Sequence, residues 1–220
     1  MKTKSITSLP DFLEMVCSAY FKGYLFRGVP DLEGHKLVPS IGRIPKLQKS
    51  TLATFTKEEK HWLKRFRLEG AHYMSEKLND WEWMVLARHH GLPVRLLDWT
   101  RNPLIALYFA VWNPSGKTAA VYAEKFTNHV NIDKVKDPFS VKKVGKFQPA
   151  HTSLRISAQS SMLTIHPNPK EVYASDSLCC FTISTQLATQ LKDPLRRCGI
   201  HPATVFPDLD GLVKSIQLDR

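Results

Sequence analysis

The amino-acid sequence predicts an α+β domain, a mixed, largely antiparallel central sheet with flanking helices. Helical periodicity prevails up to about residue 90, and beyond it short apolar runs of strand length alternate with helices. Those runs are separated by unequal stretches, which fits antiparallel pairing better than a regular βαβ array. With 220 residues, 43% of them hydrophobic, the chain can bury one sizeable core. It reads as a single domain, 1–220, whose N-terminal helical part (about 1–90) packs on a sheet-rich part (about 91–220).

Taken in order, Asp11 to Phe21 has the apolar spacing of a helix at Phe12, Leu13, Val16 and Tyr20. Tyr24-Leu25-Phe26 reads as a strand ending at Arg27-Gly28. Thr56, with Glu59 three residues on, fits a capping box that opens a helix carrying Trp62, Leu63 and Phe66. Trp81 to His89 is a further helix, stopped by Gly91 and Pro93. Val94 to Trp99 is a strand; Asn102 then caps, and Pro103 begins, a helix so apolar that it must be central. Thr118 to Glu124, Arg155 to Gln159, Met162 to His166 and Leu178 to Ser184 read as strands, and Asn128 to Gln148 as a long basic loop. Asp193-Pro194 opens a short helix. After Pro207 the last helix carries Leu209, Leu212, Val213 and Ile216 as its apolar stripe.

The net charge of +11 favours polyanionic partners. Arg43 to Arg67 holds eight cations against two acids, and Lys125 to Lys146 six against two. Lys60, Lys64 and Arg67 in the first cluster, with Lys142 and Lys143 in the second, are the candidate nucleic-acid contacts; a solvated surface is the plainer reading of the same charges. No apolar run approaches the ~18 residues of a membrane span, and no apolar stretch follows the basic start, so a cytoplasmic location without membrane association is expected. The four cysteines have no metal-ligand spacing and are expected to be reduced.

Polar residues interrupt apolar elements at three separated places. Arg27 follows an apolar strand and precedes a glycine that allows close backbone approach; its guanidinium suits a phosphate or carboxylate. His89 to Thr100 packs two histidines, Arg95, Asp98, Trp99 and Thr100 at the entrance of the central helix. There Asp98 can pair with Arg95 or Arg101, with Trp99 in the core, or both can belong to a site. Alternation along a strand would put Arg155, Ser157 and Gln159 on one face.

These segments resemble the FRG family over nearly the whole chain, from about Tyr24 to Ile216. The pattern runs through Phe26-Arg27-Gly28, Leu37 to Arg43, His89 to Ala110, Arg155 to Thr164 and Phe206 to Leu212. A Gln commonly precedes the first His of that pattern, where this chain has Arg88. A Gly often follows the Gln of the later motif, where Ser160-Ser161 stand. More distantly, the order of Arg27, the Asp98-Trp99-Thr100 strand end before an apolar helix, and Gln159 resembles that of ADP-ribosyltransferases. The Ser-Thr-Ser and the glutamate of those enzymes are missing; a Gln can bond a ribose hydroxyl but brings no charge.

The resemblance implies an ADP-ribosyltransferase-like fold and an enzyme that takes NAD as co-substrate and needs no metal. Arg27 would hold the phosphates or orient the nicotinamide ribose, and the Gly28 backbone would bond the carboxamide. Trp99 or Tyr108 would stack on the nicotinamide, Thr100 and Gln159 would fix the ribose, and His89 would relay a proton, with His90 as a further hydrogen-bonding group. The acceptor class is nucleic acid, RNA favoured, in a bacterial toxin or phage-defence role with a neutralising antitoxin protein. Two other readings stay open: a non-catalytic basic nucleic-acid-binding module, and a nuclease using His89, His90 and Asp98, which metal dependence would reveal.

Overall fold

A computed structural model of the chain describes residues 1–150 and 154–217. Its seven strands are β1 (Lys2–Ser5), β2 (Leu25–Val29), β3 (Leu96–Thr100), β4 (Ala119–Glu124), β5 (Gly145–Phe147), β6 (Ser161–Ile165) and β7 (Cys179–Ile183). They form one sheet in the order β1-β7-β4-β2-β3-β6-β5, antiparallel throughout except for the parallel β1–β7 pair. The fold is therefore α+β with a mixed, mostly antiparallel sheet. The N-terminal ninety or so residues do not form a separate helical layer: they supply β1 and the central β2, so the two expected parts interleave.

The helices are α1 (Leu9–Val16), α2 (Pro45–Gln48), α3 (Leu52–Gly70), α4 (Asp80–His89), α5 (Pro103–Val111), α6 (Leu154–Ala158), α7 (Thr185–Gln190), α8 (Lys192–Arg197), α9 (Pro202–Val205) and α10 (Leu209–Ile216). As its composition requires, α5 is central; its first turn is set by Asn102, whose side chain accepts from the Leu104 amide, and by Pro103. It lies against β2 so closely that a Cβ at Gly28 would stand 1.7 Å from the Ala106 carbonyl oxygen. The glycine of the Phe-Arg-Gly run is thus demanded by helix-on-strand packing.

On the face covered by α5, Phe26, Ala106, Ala110, Val121 and Phe181 form the core under β2, β4 and β7. On the same face, α4 brings Trp81, Met84 and Ala87 onto Leu96, Leu163 and Ile165 of β3 and β6. The opposite face buries Leu25, Val29, Leu97, Trp99, Tyr122 and Cys180. Cys179 and Cys180 turn to opposite faces of β7, as strand alternation dictates, and all four cysteines are free.

Several local expectations are corrected. The first helix stops at Val16, and a single 3₁₀ turn, Ala19–Phe21, follows it. β2 continues through Arg27 and Gly28 to Val29. Arg155 to Gln159 is not a strand: α6 occupies 154–158, and the chain turns at Ser160, φ 47°, before β6. The basic loop contains β5, secured by a bridge between His129 and Lys146. The stripe of α10 faces outward, with Leu209 78% exposed.

Thr56 and Glu59 do not cap α3. Thr51 does, accepting from the Thr54 amide. Glu59 is fully buried and takes both the amide and the guanidinium of Arg95, at 2.8 Å each, while Arg95 also donates to Thr56 and to the Pro167 carbonyl. This saturated pair ties α3 to the chain entering β3. Glu59→Ala leaves the Arg95 charge buried without its partner and is expected to cost about 3–5 kcal/mol. Chemical denaturation of wild type and variant at neutral pH measures it; a change within ~0.5 kcal/mol would contradict the role.

Candidate active site

The sheet is split at its centre. β2 and β4 share five register pairs, and β3 and β6 share five, but β2 and β3 meet only at Phe26 and Thr100. The Arg95 carbonyl and the Arg101 amide both bond toward β6, so alternation turns the Asp98 carbonyl toward β2. The Arg27 guanidinium meets it there, with Nη1 2.6 Å from the Asp98 carbonyl oxygen and 3.6 Å from its carboxylate. Arg88, on the last turn of α4, grips the same carboxylate with Nε at 3.1 Å and Nη2 at 2.5 Å. Asp98 therefore pairs with Arg27 and Arg88, while Arg95, one of its two expected partners, serves Glu59 instead.

A cavity of about 360 Å³ opens over this split, between α4 and α5 and against α6. Arg27, Arg88, His89, Asp98, Thr100, Phe109, Arg155 and Gln159 line it together with backbone at Gly28. Three segments far apart in sequence are thus brought to one place. Three guanidiniums and one carboxylate line it among the described residues, with Asp208 near enough to act on Arg155 and His89, which still leaves an excess of positive charge. Burial would raise the Asp98 pKa, but Arg88 and Arg27 outweigh it and hold the group below the ordinary carboxylate range. Burial lowers the pKa of Arg27 and of Arg155, which nevertheless stay charged at neutral pH. His89 is pushed down by burial, then by Arg155 and His90, so at neutral pH its imidazole is uncharged.

Each expected site residue has a definite place. Thr100 donates to the Gln159 carbonyl at 2.7 Å and accepts from the Asn102 amide, so its hydroxyl joins the end of β3 to the turn after α6. The Gln159 side-chain nitrogen donates to the Val205 carbonyl at 3.1 Å. Trp99 contributes to the wall, but its ring is buried against Phe126 and its Nε1 donates to Thr164. Tyr108 stacks on Trp112 and is buried with Val205; one residue on, Phe109 reaches the cavity. His90 is exposed and lies outside the lining. Lys60, Lys64 and Arg67 line a separate groove, where Lys60 meets Asp137 at 3.9 Å and Arg67 meets Asp80 at 3.0 Å. Lys142 and Lys143 are exposed just before β5.

Arg88 and Phe109 complete the cavity without having been assigned to a site from sequence; Asp98 entered only as an open alternative and in the nuclease reading, and Arg155 only as a neighbour of Gln159 on one polar face. Asp98 and Arg88 each stood out, one inside the motif and one as a departure from it; their pairing across ten residues needed the α4-to-β3 geometry.

A cation-bearing cavity at the split of an α+β sheet has the concave shape and charge that an anionic small molecule would require. Residues 22–119 match the family model of the FRG domain, so this chain carries an FRG domain over that segment, which includes Arg27, Arg88, Asp98 and α5. Arg155 and Gln159 lie beyond the matched segment. Comparison with curated proteins and with solved structures returned no match.

Beneath the site, Trp99 Nε1 donates to Thr164 Oγ1 at 3.0 Å, and that hydroxyl lies 2.9 Å from Nε2 of the buried His166. Burial, then Arg27, presses the His166 pKa down to about 3. The unfolded chain binds this proton near pH 6.5 and the folded one does not. Stability from this group is complete above pH 6.5 and falls with acidification, by about 3 kcal/mol at pH 4.5. Urea unfolding at pH 7.5 and 4.5 tests this: His166→Gln should show a visibly smaller acid loss than wild type. Equal losses would refute it.

Proposed function

We propose that the cavity binds NAD and that the protein transfers ADP-ribose from it to a nucleic acid, with RNA the favoured acceptor. The observation that carries this reading is the set of Arg27, Arg88 and Arg155 around a single carboxylate, a charge balance suited to a diphosphate. NAD would supply the glycosidic bond: C1′–N1 breaks, nicotinamide leaves with the bonding pair, and the acceptor's nucleophile bonds C1′ and gives up a proton. Neutral His89, which lines the cavity, would accept that proton. Phe109, half-buried in the wall, takes the ring-stacking part first given to Trp99 or Tyr108. With its nitrogen held by Val205, the Gln159 amide would use its oxygen to accept from a ribose hydroxyl. The cation excess of the whole chain suits an RNA acceptor, and a bacterial toxin or phage-defence role with a neutralising protein partner accords with it.

Incubation with labelled NAD and separate RNA, DNA and protein fractions tests the reading: label should appear in RNA. Gln159→Ala should lose about a hundredfold in rate, roughly 3 kcal/mol of lost preorganised bonding, with a small fall in melting temperature. Arg27→Ala should lose activity and also stability, because the Asp98 carbonyl it satisfies is left without that donor, at about 1–3 kcal/mol. Full transfer by both variants would overturn the assignment.

His89 also sets a pH dependence. The imidazole accepts a proton only when neutral, and its pKa lies below the ordinary 6.5. Activity should hold through pH 6.5 and fall only at lower pH, and the residual activity of His89→Gln should lack that acid limb. A limb at or above pH 6.5, or one retained in the variant, would rule out His89 as the base.

A further inference from the structure

A second cleft, of about 500 Å³, backs onto the cavity. The two share a partition of consecutive residues: Leu25 faces the cleft and Phe26 the cavity, and the same division falls at Arg101 and Thr100, Gln148 and Pro149, and Met162 and Ser161. Arg101, His129 and Lys146 line the cleft beside Tyr24, Phe147 and Gln148, and among the described residues none in its lining carries a carboxylate. The α3 groove differs in this respect, since Asp80 and Asp137 stand among its cations.

The cleft is built in place. The Arg101 guanidinium donates to the Gln148 side-chain oxygen at 2.9 Å. Lys146 is fixed by a backbone exchange in which its amide donates to the Asn128 carbonyl at 3.0 Å and its carbonyl accepts from the Val130 amide at 2.9 Å. Gly145 lets that segment close, since a Cβ there would stand 2.7 Å from the Asn128 side chain. Burial, then Arg101, lowers the Lys146 pKa, the signature of cations gathered without a neutralising acid. Lys142 and Lys143 extend the same chain segment outward.

We propose that this cleft holds the sugar–phosphate backbone of the acceptor strand, with Arg101 and Lys146 each on a phosphate, so that a neighbouring nucleotide reaches the cavity across the partition. The inference rests on the transferase reading for the acceptor's role, and its binding half stands by itself. Phosphate contacts position a strand without reading its sequence, so the cleft sets where the acceptor lies and leaves the choice of atom to the cavity.

Fluorescence anisotropy with a labelled 20-nucleotide single-stranded RNA, and a DNA of the same sequence, tests it. Arg101→Glu with Lys146→Glu should weaken RNA binding at least tenfold. The milder Arg101→Gln with Lys146→Gln should lower the slope of log affinity against log salt by about 1.4, roughly 0.7 for each lost single-strand phosphate contact. NAD affinity, measured by calorimetry, should match wild type in both variants, which also establishes that they fold. Weaker binding of RNA than of its DNA counterpart in wild type would overturn the RNA assignment. Unchanged RNA affinity and salt slope in either NAD-competent variant, or absence of RNA binding by wild type, would overturn the cleft. If the variants lose RNA while wild type binds RNA but transfers nothing to it, the cleft stands and the transferase reading falls.

Discussion

The bond from Arg27 to the Asp98 carbonyl is the constraint on which the site depends. Two central strands of a sheet normally satisfy each other's backbone groups, and here they do so at a single register pair. A part-buried carbonyl facing the gap needs a donor, and a side chain supplies it. The guanidinium that bridges the gap is thereby held at the base of a cavity, with its remaining donors available to a ligand. Architecture and recognition use the same group.

The electrostatics follow from that placement. Asp98 anchors Arg27 and Arg88 and keeps their mutual repulsion tolerable, as its depressed pKa reflects. One carboxylate does not balance three guanidiniums, so an incoming anion would meet cations already oriented and partly desolvated, where Coulomb terms are stronger than in bulk water. The same surroundings keep His89 neutral. A proton-accepting group and an anion-holding group can therefore share one small volume at neutral pH.

The sheet class and most elements were legible in the sequence because periodicity and capping are local: α4, α5, β4, β6 and β7 fall close to where spacing and the Asn102-Pro103 start place them. Arg155 to Gln159 misled because polar–apolar alternation over five residues also fits one turn and a half of helix, and α6 is that short. β1 escaped notice since its four residues are all exposed and pair with β7 through backbone and a Ser5–Thr182 hydroxyl contact, which leaves no apolar signal. Within the site, Arg27, Thr100 and Gln159 could be named from interruptions in apolar runs. Tyr108 and Phe109 could not be told apart, because helix α5 is apolar nearly all round and its phase is set by what packs on each side. Glu59 looked like a cap from its spacing to Thr56, and only the distant Arg95 explains its burial.

The missing Cβ at Gly28 has a mechanical consequence. Strand β2 and helix α5 lie backbone against backbone, so they form one plate together with β4 and β7. Strands β3, β6 and β5 with α4 form the other. In the sheet these plates share the single register pair Phe26–Thr100, with the Arg27–Asp98 contact beside it, while Leu25, Val29 and Tyr122 pack with Leu97 and Trp99 across the opposite face. Arg27 rides on one plate and Arg88 on the other. A diphosphate held by both would add a second tie across the seam, alongside the one Asp98 already makes.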